Sequence, residues 1–363
     1  MTTNPECVPT YGGPLDFIFV VHPRTICDVL RAYPHLRGLD EGAIMSAVRP
    51  FSVSILSPIS VESNGRRLNG ELVSIPYLAT EFRRNVREIQ GALREVLAYA
   101  ESRQTKVVGL GALIPSVSRY GADLLPHVRT ARITSGHTYT AYALARHVVA
   151  VEKILGGPQP IAIVGAAGSI GRGTARALCA QLDSRNLLLV DIESRNQALQ
   201  ELRAELLSRG CRSVATSTEL TSIRDTPVVV CATNATRAII GAHHLRQGAI
   251  IIDDSQPPNI TLETATEARV TVIKCLARVP SLRCPFDYGL FEPSYLIEKQ
   301  NIVFTCLAET VMRTGIEKDL SAIPGASGIG IDFEEVRTLA DTFGITIAPF
   351  HSFPEIGRVS LGI

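Results

Sequence analysis

The chain has 363 residues, 45% of them apolar, with 36 basic side chains against 35 acidic ones. A chain of this size can build two or three domains with their own cores, and the balanced charge argues against nucleic acid as a partner. Eight cysteines, at positions 7, 27, 179, 211, 231, 275, 284 and 306, are scattered and form no C-x-x-C pair. That pattern fits free thiols in a reducing compartment, so a cytoplasmic location is expected. The opening MTTNPECVPTYGGP has no basic segment followed by a long apolar run, so no signal peptide is expected. No apolar run reaches the length of a transmembrane segment.

In chain order, LDFIFVVHP (15–23) predicts a buried strand and ICDVLRAYPHL a helix. FSVSILSPISVES and LNGELVSIPYL predict two strands joined through SNGRR, with Asn64-Gly65 as the turn signal. EFRRNVREIQGALREVLAYAESR (81–103) has the pattern of a long amphipathic helix. TKVVGLGALIP reads as a strand running into a glycine-containing loop. ARITSGHTYTAYALARHVVAVEKILGG (131–157) starts as a short strand, turns through polar residues and continues as a helix to Gly156-Gly157. From 160, PIAIVGAAGSIGRGTARALCAQL is a strand, a glycine-rich turn and a helix. NLLLVD (186–191) follows as a strand, then RNQALQELRAELLSRG as a helix stopping at Gly210. TPVVVCATN (226–234), GAIIIDDS (248–255) and RVTVIKCL (269–276) predict further short strands, and 302–315 a helix. Strands alternating with helices in this way build βαβ units on a parallel sheet.

The glycine loop carries the first chemistry. Gly165-Ala166-Ala167-Gly168-Ser169-Ile170-Gly171 fits G-x-x-G-x-x-G between a strand and a helix. Glycines there let backbone N–H groups approach a pyrophosphate at the positive end of a helix. Asp191 ends the next strand, 20 residues after Gly171, where a ribose-binding acid is expected. A fold of class α/β follows, with a Rossmann-type doubly wound parallel sheet binding a nicotinamide dinucleotide. Asp191 would accept from a 2′-hydroxyl and repel a 2′-phosphate, which favours NADH; Arg195 or Arg172 could instead pair with the phosphate of NADPH. Thr233 and Asn234, at the end of the TPVVVCATN strand, fall where a loop passes the nicotinamide ribose or forms an ordinary turn.

Several ordered stretches resemble the cyanobacterial long-chain acyl-[acyl-carrier-protein] reductases, which form fatty aldehydes. They are GLGAL (109–113), ITSGHTYTAYALARHV (133–148), IAIVGAAGSIG (161–171), VVVCATNATRAIIGAHHLRQGAIIIDDSQPPNI (228–260) and IVFTCLAET (302–310). The resemblance covers the chain from about the 81–103 helix to 315 and not the first ~60 residues or the tail. It implies reduction of an acyl thioester, from acyl-carrier protein or acyl-CoA, through an acyl-enzyme on the cysteine of Phe304-Thr305-Cys306-Leu307-Ala308-Glu309. It also implies NADPH, against the preference of Asp191. The family's G-N-T-H-T-A-Y turn stands here as Gly136-His137-Thr138-Tyr139-Thr140-Ala141-Tyr142, with the histidine two places earlier.

The residues can be weighed on chemistry alone. A cysteine in an apolar helix is usually core, and Cys179 and Cys231 read that way. A nucleophilic thiol needs a lowered pKa or a nearby base. A helix starting near Asn301 would put Cys306 past its first turn, where the helix dipole helps little, so His137 is the expected assistant. Glu309 reads as structural, binding backbone or an arginine. Ser135, Thr138 and Thr140, with the N–H groups of their turn, could stabilise an oxyanion or simply cap the helix. Tyr295 and Lys299 form the Y-x-x-x-K pair of short-chain dehydrogenases. His243 and His244, adjacent on a helix, would point apart, and Cys275 and Cys284 have no metal-ligand spacing to neighbours in the sequence, so no metal is expected. Arg83, Arg84 and Arg87 could meet an acidic carrier or form a solvated face.

The expected organisation is a substrate, acyl-binding α/β domain at 1–157, a dinucleotide domain at 158–280, and a C-terminal segment at 281–363 packing back on the first. The expected activity is acyl-thioester reduction to an aldehyde. An alcohol or ketone dehydrogenase using Tyr295 and Lys299, and an inactive nucleotide-binding regulator, are the competing readings.

Overall fold

The structure, a computed structural model, describes residues 12–63, 65–181, 186–285, 301–315, 333–350 and 352–353. The described residues fall into two units. One is drawn from Met1–Gly136, Ala277–Ala326 and Arg337–Thr346, the other from His137–Leu276, Ser327–Val336 and Ile347–Ile363.

The first unit is built on β1 (Phe17–Val21), whose FIFVV run is apolar on both faces and fits only a central strand. Two short helices follow, α1 (Ile26–Ala32) and α2 (Glu41–Val48), the second capped by Asp40, which accepts the Ala43 N–H at 2.9 Å. β2 (Ser54–Ser63) and β3 (Arg66–Ser74) form the expected antiparallel hairpin; Gly65 has φ +73°, and Asn64 lies outside the described residues. α3 (Val86–Ser102) buries Ile89, Leu93, Val96, Leu97 and Ala100. It starts five residues later than the helical pattern suggests, because Glu81 reaches back to the Leu78 N–H at 2.8 Å and closes a separate turn. β4 (Val107–Leu110), a single turn α4 (Ile114–Val117) and β5 (Arg132–Thr134) complete this stretch. The sheet order is β2-β3-β1-β4-β5, with β3, β1, β4 and β5 mutually parallel.

The second unit begins with α5 (His137–Ile154), the helix expected to close the first domain. It packs on α6 (Ser169–Gln181), which follows β6 (Ile161–Val164). β7 (Asn186–Val190), α7 (Asn196–Ser208), β8 (Ser213–Ser217), β9 (Val228–Cys231), β10 (Ile250–Asp253), α8 (Leu262–Ala268) and β11 (Thr271–Lys274) continue it. The parallel strands run in the order β11-β10-β9-β6-β7-β8, with Ser352–Phe353 added antiparallel at the β11 edge. Counted from β6, this is the doubly wound order 3-2-1-4-5-6, so the fold is α/β and Rossmann-type as expected. The topological switch falls between β6 and β9.

The chain returns to the first unit through β12 (Leu276–Arg278), which neighbours β13 (Ile302–Phe304). Then comes α9 (Thr305–Thr314), which packs against β4 and β1. This is a correction to the sequence pattern: the helix starts at Thr305, not near Asn301. Ile302-Val303-Phe304, a β-branched and aromatic run, is spent as a strand, and short apolar runs do not distinguish strand from helix by periodicity.

α9 approaches β4 closely. A side chain at Gly109 would overlap the Thr310 side chain, which is itself buried. Gly109→Ala is therefore expected to destabilise the protein by about 1–3 kcal/mol, the usual range for overpacking. Most of that loss should be recovered in Gly109→Ala/Thr310→Ala, as read by urea denaturation of the four proteins of the cycle. Additive losses would show that the two residues do not limit each other.

Candidate functional site

The carboxyl ends of β1, β4 and β5 collect three short segments of the first unit. Loops leave β1 and β4 toward opposite sides of the sheet, so this is that sheet's own switch point. His22 follows β1 and is buried. Its Nδ1 lies 2.9 Å from the Pro23 carbonyl, and its Nε2 accepts the Leu113 N–H at 3.2 Å. A carbonyl can only accept, so the imidazole is the neutral Nδ1–H tautomer. Burial lowers the His22 pKa to about 4. The segment it holds is the GLGAL loop, where Ala112 has φ +49° and Gly111 N–H donates to Val20 O at 2.8 Å.

Cys306 is half-buried at the second position of α9. Gly136 lies against it: φ is +74°, and a side chain there would overlap the Cβ and Cα of Cys306. Glycine is required at this position twice over, for the left-handed backbone and for the contact. Thr134, the last residue of β5, donates from Oγ1 to Glu309 Oε1 at 2.8 Å and accepts the Gly136 N–H at 3.3 Å. Glu309 is buried and lies 3.5 Å from Arg313 Nε, one turn on. The expectation that this carboxylate binds an arginine and takes a structural part agrees with that geometry. Thr310 Oγ1 donates to the Cys306 carbonyl at 2.8 Å. Ser135 is buried; Gly136 precedes the first residue of α5, His137, and Thr138 and Thr140 are buried in that helix's first turn.

The other described cysteines have different surroundings. Cys179, Cys211, Cys231, Cys275 and Cys284 are buried, and Cys27 is exposed. Cys179 Sγ lies 3.6 Å from Leu206 O. Burial and the Asp253 carboxylate push the Cys231 thiol well above its ordinary pKa.

In the second unit, Gly165, Gly168 and Gly171 form the turn between β6 and α6. A side chain at Gly165 would meet Ala232 O, and one at Gly171 would meet Gly165 O. The turn is a cradle only glycine can line, with Ser169 and Ile170 opening the helix above it. Asp191 is held on both oxygens: Oδ2 accepts the Ala167 N–H at 2.9 Å and Oδ1 the Ile192 N–H at 2.9 Å. Arg195 is exposed just before α7. Beside Asp191, Ile192 is 64% exposed, an apolar surface next to the ribose position that the sequence pattern did not single out. These residues fit an adenine dinucleotide.

Thr233 N–H donates to Ser255 Oγ at 3.1 Å and Thr233 Oγ1 to Asn259 Oδ1 at 2.7 Å, while Asn234 is exposed. Ser255 and Asn259 are in turn tied to a buried ion pair, Asp253 with Lys274 at 3.1 Å. Sequence reasoning missed these four residues. Asp253 and Lys274 close strands otherwise free of charge, and that single charge at each strand end was the available signal. Tyr295 and Lys299 lie outside the described residues. Among the described residues, no three His, Cys, Asp or Glu gather as a ligand set, and no helix is long and apolar enough to cross a membrane.

No protein-family model matches the chain. It is 26% identical over 299 residues to the long-chain acyl-[acyl-carrier-protein] reductase of Synechococcus elongatus, covering 78% of this chain and 84% of that protein. It is 28% identical over 222 residues to the glutamyl-tRNA reductase of Caldivirga maquilingensis, covering 60% of this chain and 51% of that one. Among solved structures, a shikimate dehydrogenase in complex with NADP+ aligns over 94% of this chain and 99% of its own at 14% identity, with a TM-score of 0.42. The class supported by fold, glycine loop and relatives is a nicotinamide-dependent reductase.

His22 generates a pH prediction. Its folded pKa, about 4, lies below the 6.5 of an unfolded chain. Between these values the unfolded chain takes up a proton that the fold refuses, so stability falls as pH drops through 6.5 and levels off below 4. The loss from this group approaches about 3 kcal/mol. Urea denaturation of native protein and His22→Gln at pH 7.5 and 4.5 should give a smaller acid loss in the variant. Equal losses would remove His22 as the cause.

Proposed function

We propose that the protein reduces an acyl thioester to an aldehyde through an acyl-enzyme on Cys306, with acyl-carrier protein as the first expected donor and acyl-CoA the second. The observation that carries this reading is the contact between Cys306, at the start of α9, and Gly136 of the SGHTYT turn. The relationship to the Synechococcus elongatus reductase supports it.

In this reading Cys306 is a nucleophile because the first turn of a helix carries partial positive charge, which favours a thiolate. Its Sγ attacks the acyl carbon, and the donor's thiolate leaves with the electron pair of the broken C–S bond. A nicotinamide dinucleotide held at Gly165, Gly168 and Gly171 would supply the hydride. Addition of hydride to the acyl carbon gives a thiohemiacetal, whose collapse releases aldehyde and the Cys306 thiolate. The hydroxyls of Ser135, Thr138 and Thr140 and the N–H groups of their turn are the proposed oxyanion donors. His137, bonded to Gly136 in the chain, is the proposed proton carrier for the departing thiolate.

The proposed reductant is NADH. Asp191, held by two backbone N–H groups, cannot turn away, so a 2′-phosphate would face a fixed carboxylate.

Two measurements test the reading. Intact-protein mass spectrometry with acyl-carrier-protein thioester and no nicotinamide should give an acyl adduct that Cys306→Ala lacks, and the variant should form no aldehyde. Native-like turnover by Cys306→Ala would sink the acyl-enzyme route. For the cofactor, Asp191→Ser should raise the ratio of NADPH to NADH kcat/KM by about tenfold, equivalent to ~1.4 kcal/mol of relieved repulsion. An unchanged ratio would leave Asp191 with the loop-pinning role only.

A further inference from the structure

The last residues of four adjacent strands in the second unit lie side by side: Val164, Cys231, Asp253 and Lys274 are register partners across β6, β9, β10 and β11. Two of the four are charged and buried, with Asp253 fully inaccessible and Lys274 3% exposed. An apolar pair of similar volume would hold two strands together as well as an ion pair does. What a carboxylate adds is a fixed set of lone pairs, and these are used to orient a loop. Asp253 Oδ1 accepts the Ser255 N–H at 2.9 Å, and Oδ2 accepts the Asn259 N–H at 3.1 Å. Lys274 Nζ donates to Asp253 Oδ2 at 3.1 Å and lies 3.4 Å from Ser255 O.

The loop so held reaches across to the next one. Ser255 and Asn259 each bond Thr233, one through its N–H and the other through its hydroxyl. Thr233 stands against the glycine loop: its Cγ2 lies 3.1 Å from where a side chain at Gly165 would begin. The loops after β6 and β9 are the two walls of the crevice at the switch point, where a dinucleotide lies on such a sheet. The spacing of those walls is therefore set by a continuous chain of bonds from Lys274 through Asp253, Ser255 and Asn259 to Thr233.

We propose that the buried Lys274–Asp253 pair is a positioning device for the nicotinamide half of the dinucleotide, acting through Thr233, while the adenosine half depends on the glycine loop and Asp191. The inference rests on the reading of the second unit as a nicotinamide-dinucleotide domain. Lys274, Asp253, Ser255 and Asn259 are positioning residues; they fix the wall that the nicotinamide ribose meets.

The test compares NADH with ADP, which carries only the adenosine diphosphate half, by calorimetric titration of the full chain. The variants are Asp253→Leu/Lys274→Met, which removes both charges together, and Thr233→Val, which keeps the ion pair and removes only the hydroxyl, with its bonds to Asn259 Oδ1 and to the Ala235 N–H. The double variant should bind NADH at least tenfold more weakly and ADP within twofold of the native protein. Thr233→Val should lose about threefold for NADH, and Thr233→Ser should restore it. Parallel changes for NADH and ADP, or no change in either, would overturn the proposal by reducing the pair to a stabilising contact. Native protein that binds neither NADH nor ADP would defeat the dinucleotide reading itself, a result seen before any substitution is made.

Discussion

Helix α9 lies so close to the first sheet that the Thr310 side chain reaches the backbone of β4. Glycines at two points, Gly109 on β4 and Gly136 beyond β5, leave the room that Thr310 and Cys306 fill. Much else follows from that closeness. Thr134 can reach Glu309 only because the helix is this near, and Glu309 in turn meets Arg313. The start of α9 is also fixed by it. Cys306 sits where helix N–H groups are unsatisfied by the helix itself, and it is held there by a buried helix rather than by a loop.

The second unit uses the same device at another place. Gly165 and Gly171 let the turn after β6 approach Ala232 and itself, and Asp191 pins that turn through the Ala167 N–H. In both units the proposed reactive and binding groups lie near the carboxyl ends of parallel strands. The reason is common to parallel sheets: every loop that follows a strand emerges on that side, so short loops from distant parts of the chain meet there. Rigid apolar strands below supply the alignment, and Thr134, Asp253 and Lys274 at their last positions supply polar contacts to the loops.

The dinucleotide fold was legible in the sequence because its signals are local. A strand, a glycine triplet, a helix and an acidic residue at the next strand's end all lie within one short stretch. The hairpin over 54–74 was legible for the same reason. Three features were not. The strand Ile302–Phe304 looks like the start of a helix, because a short apolar run serves either. β8, with its Ser-Val-Ala-Thr-Ser sequence, is an exposed edge that lacks the apolar run of its neighbours. His22 and the Asp253–Lys274 pair depend on partners 91 and 21 residues away, and no local pattern announces a partner at that distance. For Cys306 the sequence supplied the residue through a resemblance, whereas its place on the helix depended on where β13 ends.

The distribution of thiols has a practical side. Among the described residues, five cysteines are sealed in the two units, Cys27 is open to reagents, and Cys306 is half-open. Once Cys7, which lies outside the described residues, and Cys27 are replaced by serine, an electrophile of modest size should find Cys306 ahead of the sealed five. A chain built in this way carries its own attachment point for a tethered fragment or a reporter dye, seated at the mouth of α9 and reached without disturbing either core.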